Sequence, residues 1–385
     1  MDLARHAPVP ADVAATFAGP VLQARAWADC QTADFVAQWD ALALAATQPN
    51  PFYESWYLLP SLRALDPAGH AELLVLEDRG ALLGLLPVCR PRQYYGHRVP
   101  HLRNWVHDNC FCGQPLVAPG LEAAFWRALL QWCDGHAGIG LFLHLRQMPG
   151  DGPLHQALKS ELARQHRPAA TVLAEERALL CSDLSAEDYL LAAIGAKKRK
   201  ELRRQHRRLG EEGALTVERT RAADGIATWT AAFLALEKCG WKGRAGSALA
   251  DHPANAILFA EALVGAAARG RLERLSLHLD GTPIAMLATF ITPPGAYSFK
   301  TAFDEDYARF SPGVLLQCEN LALAGDPDIA WIDSCAAPDH AMIDHVWRER
   351  RPMAHHSIAI GGTLRQTLFT LLAQRETGKK PRGLS

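Results

Sequence analysis

Two stretches about two hundred positions apart carry the same pattern, ELLVLEDRGALLGLLPV at 72–88 and RLSLHLDGTPIAMLATF at 274–290. In each, an apolar run meets a turn containing Asp and Gly and returns as a second apolar run, which is how a β-hairpin reads in sequence. A hairpin that recurs at this distance points to two related halves. The length agrees: 385 residues exceed the roughly 250–300 at which a single hydrophobic core stops growing. Around the first hairpin, the periodicity predicts helices at 34–47 and 121–136 and a strand at 140–145. Around the second it predicts helices near 225–238, 253–269 and 312–324, with strands at 296–303 and 328–334. Helices alternating with strands on both sides of a hairpin imply an α/β fold on a mixed sheet. The loop MPGDGP at 148–153 and the polar stretch near 165–186 place a boundary near residue 175. The expected organisation is a flexible N-terminal tail at 1–20, one half at 21–175, a second at 176–375, and a flexible basic tail at 376–385.

The chain is 49% hydrophobic and 21% charged, the mixture of a folded soluble protein. Its formal net charge of −1 excludes a global attraction to nucleic acid or an anionic membrane, so only local patches can argue for such partners. No stretch approaches the ~20 uninterrupted apolar residues of a membrane span, and the first twenty residues lack a secretory apolar block. No integral membrane segment is expected. The nine cysteines follow no disulfide spacing, which fits reduced thiols and a cytoplasmic location.

A helical arm is expected over 185–210, opened by Ser185 with Glu187 and Asp188 in its first turn and ended by Gly210 and Gly213. Eight of the twelve residues from Lys197 to Arg208 are Lys or Arg. They recur at nearly every angle around the helix, as on a solvated arm. A phosphate-rich substrate or an RNA can use the same surface, because each cation that neutralises a phosphate releases a counterion.

Three strings in the C-terminal half concentrate reactive side chains. In YSFKTAFDEDYARFSPGVLLQCENLALA (297–324), a short strand carries Tyr297 and Lys300, and Ser311–Pro312–Gly313 opens a helix. A helix start of this kind offers free N–H groups and a positive dipole end to a phosphate or carboxylate. In LEKCGWKGRAGSAL (236–249), three glycines at three-residue intervals predict a loop displaying Trp241, Lys242 and Arg244, an aromatic platform with two cations for an anionic group. In WIDSCAAPDHAMIDHVWRERR (331–351), Asp333 ends a strand before Ser334, Cys335, Asp339, His340, Asp344 and His345. Asp333 and His340 are the candidates for a general base and its orienting partner. Cys335 assisted by His340 is a candidate nucleophile, whereas Cys335, His340 and His345 match no zinc spacing, so no metal site is expected. In the N-terminal half, NPFYESWYLLP (50–60) offers Tyr53 to close over a substrate. NWVHDNCFCGQPL (104–116) offers His107 and Asp108 to bind an acceptor.

A hairpin, a strand with Tyr297-x-x-Lys300, the Arg309-x-Ser311-Pro312-Gly313 helix start and the preceding basic helix together resemble the GNAT-like acyltransferases associated with cellulose and exopolysaccharide biosynthesis. Those in turn are similar to the Fem-type aminoacyl transferases, which contain two GNAT halves. The resemblance covers roughly residues 30–360 and implies a tandem GNAT fold, the acyl-CoA N-acyltransferase fold. It implies a splayed sheet that takes the donor's pantetheine arm beside the strand at 284–291, with Arg309, Ser311, Gly313 and Val314 around a pyrophosphate. The chain departs from the family's pattern here, because the segment from Arg309 to Leu315 is one residue longer than the GNAT loop and lacks its second glycine. The implied activity is transfer of an acyl group from a thioester co-substrate such as acyl-CoA, with no tightly bound cofactor, to a small-molecule, glycan or peptide acceptor. An acyl carrier protein or an aminoacyl-tRNA is an alternative donor, and a non-catalytic binding subunit is an alternative role.

Overall fold

The computed structural model describes residues 19–384, so the expected N-terminal tail lies, apart from Gly19 and Pro20, outside the described residues. The first half runs β1 (Val21–Ala26), α1 (Ala33–Ala45), α2 (Ser55–Leu65), β2 (Glu72–Asp78), β3 (Ala81–Cys89), β4 (Leu102–Asn104), β5 (Leu116–Val117), α3 (Glu122–His136), β6 (Phe142–Pro149), α4 (Gly152–Arg164) and β7 (Ala169–Leu180). Next come α5 (Ala186–Ala193), α6 (Ala196–Glu212), β8 (Leu215–Thr220), α7 (Ile226–Cys239), α8 (Trp241–Arg244), α9 (Pro253–Ala267), β9 (Leu272–Leu279) and β10 (Thr282–Thr292). The chain ends with β11 (Gly295–Phe303), α10 (Pro312–Asn320), β12 (Trp331–Asp333), β13 (Glu349–Ala359) and α11 (Thr363–Thr377).

Both repeated segments form antiparallel hairpins with two-residue turns, β2–β3 closing at Asp78 opposite Ala81 and β9–β10 at Leu279 opposite Thr282. The turn residues Arg79 and Gly80, and Asp280 and Gly281, all have positive φ. That backbone twist matches the twist of the flanking strands. In β10, Met286, Ala288 and Phe290 pack on one face of the sheet while Ala285, Leu287 and Ile291 pack on the other, as the two-residue period of a doubly covered strand requires. Helices α1, α2, α3, α4, α7 and α9 cover the first face. The second is covered by α5, α6 and α10 over the C-terminal half and by α11 over the N-terminal half.

All thirteen strands form one sheet, ordered β1-β2-β3-β4-β6-β13-β7-β12-β11-β10-β9-β8 with β5 beside β3. The order reads nearly as a palindrome. Each half contributes a parallel pair, β4 with β6 and β11 with β12, and then a long last strand that crosses to the other half. Thus β7 pairs with β12, β13 pairs with β6, and the two exchanged strands pair with each other. A boundary at 175 therefore falls inside β7, whose partners come from the C-terminal half. The expected single helical arm is two helices broken at Ile194–Gly195, and α6 is held to the sheet by buried Leu202 and Leu209. The basic end of the chain is packed rather than free. Past Gly378, Pro381 is buried, the Gly383 N–H donates to the Ala169 carbonyl at 3.3 Å, and Leu384 lies on the core.

Candidate active site

Strands β11 and β12 are paired at only three positions, Gly295 with Trp331, Ala296 with Ile332 and Tyr297 with Asp333. Beyond Tyr297, β11 continues to Phe303 against β10, but its other edge is unpaired. A bulge opposite Ala288 and Thr289 leaves Phe299 as the extra residue, at the point where the neighbouring strand departs. The chain after Asp333 turns off through Cys335, whose φ is +53°. Between the diverging strands lies a cavity of about 180 Å³, walled by Ser298–Phe303 and Ser334–Ala337. The free edge is therefore on β11. The strand expected to offer backbone groups, 284–291, is β10, whose two edges are both spent on ladder pairing.

Asp333 fixes this divergence. One carboxylate oxygen accepts the Cys335 N–H at 2.9 Å, and the other accepts from Arg177 at 2.8 Å and Arg351 at 3.0 Å. The two guanidiniums come from the exchanged strands β7 and β13, so a fully buried charge cluster pins the end of β12 to both halves. With both oxygens engaged and no surface exposed, Asp333 has nothing to offer a substrate, which corrects its expected role as base. Tyr297 is likewise core: its hydroxyl donates to the Pro49 carbonyl at 3.0 Å. Tyr53 is buried too, donating to the Trp105 carbonyl at 3.1 Å.

Lys300 and His340 do line the cavity, together with Trp241 and Lys242. The Lys300 ammonium lies 5.1 Å from the centre of the Phe111 ring and 5.6 Å from that of Phe299, and it has no salt bridge among the described residues. Burial, reinforced by the charge of Lys242, lowers its pKa to about 8. Lys242 itself pairs with buried Glu237 at 2.7 Å, and Glu237 also accepts the Leu249 N–H at 2.8 Å. His340 is half-buried. Burial and the Lys242 charge lower its pKa, which leaves a neutral imidazole, and its Nδ1 has no hydrogen-bond partner among the described residues. Cys335 borders the same space, but burial, with the nearby Asp333 charge, pushes its thiol well up, so it is no thiolate nucleophile.

The expected glycine loop is a one-turn helix, α8. Gly240 caps α7, and Gly243 is required because a Cβ there would run into the Lys238 carbonyl. Arg244 does not line the cavity but pairs with Glu305, which does and which also accepts the Trp241 N–H at 2.6 Å. From the other half, the segment after β4 brings Phe111 into the cavity wall. His107 stacks on Tyr57 with ring centres 6.1 Å apart, and burial together with the charge of Lys300 lowers its pKa to about 3. Asp108 acts on Lys300 in the opposite sense. The equivalent gap in the N-terminal half, between β4 and β6, is closed: Gly113 donates to the Gln147 carbonyl at 2.7 Å, and Asn104 bridges the Gly113 and Arg146 carbonyls. Phe111 and Glu237 carry no motif of their own in the sequence. Glu237 stands five residues before Lys242, and its carboxylate was the signal available.

The expected pyrophosphate cradle does not assemble. Arg309 lies over the Phe310 ring and pairs with Glu212 at 2.9 Å. Ser311 is in the left-handed region and makes no side-chain cap. Val314 packs into the second core. Gly313 is covered by Met342 and Phe303, two residues of the cavity wall, so a phosphate at this helix start requires Met342 to move.

Residues 196–341 match the acetyltransferase (GNAT) domain family, a span that runs from the start of α6 to Ala341, just past His340. Among solved structures, the crystal structure of FemX superposes with a TM-score of 0.54 at 11% identity, over 88% of this chain and 98% of that one. The C-terminal domain of a putative lysylphosphatidylglycerol synthetase from Agrobacterium fabrum gives a TM-score of 0.53 at 15% identity, over 91% and 98%. A conserved protein of unknown function from Bacteroides thetaiotaomicron VPI-5482 gives 0.52 at 12%, over 84% and 97%. At these identities the likeness is one of fold. No curated protein matches the chain by sequence. The C-terminal half is thus similar to a GNAT domain over 196–341, and the fold is an α/β one of two GNAT-like halves on a continuous sheet.

Proposed function

We propose that the chain transfers an acyl group from a thioester donor to an amine, in the gap between β11 and β12. The carrying observation is that gap: parallel strands diverge after three pairs, and the freed edge of β11 faces a cavity holding a lysine and a histidine whose pKa values burial lowers. The thioester carbonyl lies along the free edge of β11. The acceptor nitrogen attacks it, forming the C–N bond as the C–S bond breaks. His340, neutral, takes the proton from the attacking nitrogen, and the Lys300 ammonium gives a proton to the departing thiolate. Burial lowers both, which leaves His340 neutral and able to accept and brings Lys300 to about 8, where the ammonium can give up its proton. Acyl-CoA is the first donor to test. A thermal-shift and mass-spectrometric screen of acyl-CoAs, acyl carrier thioesters and charged tRNA identifies the donor. Stabilisation by none of them, with no acylated product, contradicts the reading.

A second donor, aminoacyl-tRNA, is favoured by α6. Its exposed face carries Lys197, Lys198, Lys200 and Arg203 without salt bridges among the described residues, beside Arg204 and Arg207, which pair with Glu201 and Glu211. The first turn holds no acid and the last holds Glu211 and Glu212, a polarity that opposes the helix dipole and suits an external anion. Replacing Lys197, Lys198, Arg199 and Lys200 by Gln then lowers the salt dependence of RNA binding, by about one unit of slope per lost phosphate contact. No RNA binding at low salt ends this reading.

A further inference from the structure

The loop 334–346 has two sides. Ala336, His340 and Met342 face the cavity described above, whereas Pro338, Asp339 and Asp344 border a second cavity of about 580 Å³. The exchanged strands β7 and β13 and helix α4 form its other walls, so it exists only where the two halves meet. Glu175, Glu176, Asp339 and Asp344 line it against a single guanidinium, Arg350, and Arg350 is already paired with Asp344 at 3.3 Å. Glu175, Glu176 and Asp339 have no cationic partner among the described residues.

A second observation is independent of these carboxylates. Two imidazoles, His155 and His356, stand in the same wall with ring centres 5.5 Å apart, and they are 6% and 2% exposed. Thr171 Oγ1 lies 3.1 Å from Nδ1 of His356, while Nε2 of His356 and Nδ1 of His155 have no hydrogen-bond partner among the described residues. Buried polar nitrogens are normally satisfied, so a pair left open in one wall is a place where a ligand's N–H or lone pair completes the bonding. Both rings are neutral, since burial lowers each of them, so the cavity keeps its negative excess and either ring can serve as donor or acceptor.

We propose that this cavity binds a small polycationic amine of the polyamine class, its ammonium groups against Glu175, Glu176 and Asp339 and one nitrogen at the His155–His356 pair. This cavity shares no lining residue with the gap between β11 and β12, so the amine held here is a ligand apart from the acceptor of the function proposed above. A neutral or singly charged amine leaves carboxylates unmatched, so affinity rises with ligand charge and falls with salt.

The test is calorimetric titration of the full chain at low salt with spermidine, and with butylamine as the singly charged control. Spermidine binds more tightly than butylamine, and the exposed-carboxylate variant Glu175→Gln/Glu176→Gln/Asp339→Asn loses at least tenfold in affinity while its thermal melt is kept. The His356→Asn variant, if folded, weakens spermidine as well. No spermidine binding by the unaltered chain, or equal affinity in the triple variant, overturns the site. Lys300→Met leaves spermidine affinity unchanged whatever it does to acyl transfer, so loss of transfer with binding intact counts against the reaction and not against this cavity.

Discussion

Lys242 Nζ lies 2.7 Å from Glu237 Oε1, and this pairing leaves Lys300 as the ammonium in the cavity without a salt bridge among the described residues. Lys242 contributes its field without needing the substrate, whereas Lys300 is free to exchange a proton or meet an anion. Neighbouring like charge and burial both disfavour the charged form, which is how a lysine comes to titrate near pH 8.

The pH profile of acyl transfer follows from the two groups. His340 must be neutral to accept a proton, and its folded pKa is below the ordinary value, so the acid limb falls below pH 6.5. Lys300 must be charged to donate, and its pKa is about 8, so the rate declines as pH rises through that value. A bell with its alkaline limb near 8 is the expected result from steady-state rates. A rate that keeps rising to pH 10 assigns Lys300 the role of base instead.

Replacing Glu237 by Gln removes the counter-charge of Lys242 and one of the groups that favour charged Lys300. The alkaline limb moves to lower pH in Glu237→Gln. Comparison of the two profiles in one buffer series reads this directly, and an unmoved limb separates Glu237 from Lys300 electrostatically.

The Arg177–Asp333–Arg351 cluster is structural on this account. Breaking a buried charge pair by removing one partner costs about 3–5 kcal/mol, so Asp333→Asn lowers the unfolding free energy by that order, read as a lower urea midpoint at unchanged m. A stable, fully folded Asp333→Asn protein that cannot transfer acyl groups restores Asp333 as a base.

Acid sensitivity follows from the histidines at the seam of the exchanged strands. The pKa of His144 is lowered to about 2, by burial and then His355, that of His355 to about 4, by burial and then Arg146, and that of His356 to about 3, by burial and then His155. Unfolded, each titrates near 6.5. The unfolded chain therefore binds more protons below that value, and the stability present at neutral pH is lost as pH falls below about 6.5, by up to about 1.4 kcal/mol per histidine per pH unit. Urea midpoints measured from pH 7 to pH 5 show the decline, and His356→Asn flattens it.

The hairpins were legible because their turns are local: Asp280–Gly281 needs two positive φ values and the sequence supplies residues that take them. Lys300 and His340 were legible as reactive types near strand ends. The role of Asp333 was not, because its partners Arg177 and Arg351 stand 156 and 18 residues away, and nothing in a local pattern marks a guanidinium as bound for another half. The exchange of β7 and β13 escaped for the same reason. Glycines 240, 243 and 246 read as a loop, yet Gly243 serves close packing of a helical turn against α7. Gly313 read as an opening for a ligand, whereas the bulk of Met342, twenty-nine positions later, occupies the space beside it.

The central claim is that the gap between β11 and β12 is where the acyl group moves, with Lys300 and His340 in attendance. Release of free thiol from acetyl-CoA, measured across a panel of amines with the unaltered chain, Lys300→Met and His340→Ala, tests it most directly. The account predicts thiol release by the unaltered chain, a loss of about 10²–10⁴-fold in each variant, and thermal melts that stay cooperative. Equal rates in all three proteins contradict it and place the chemistry elsewhere in the chain.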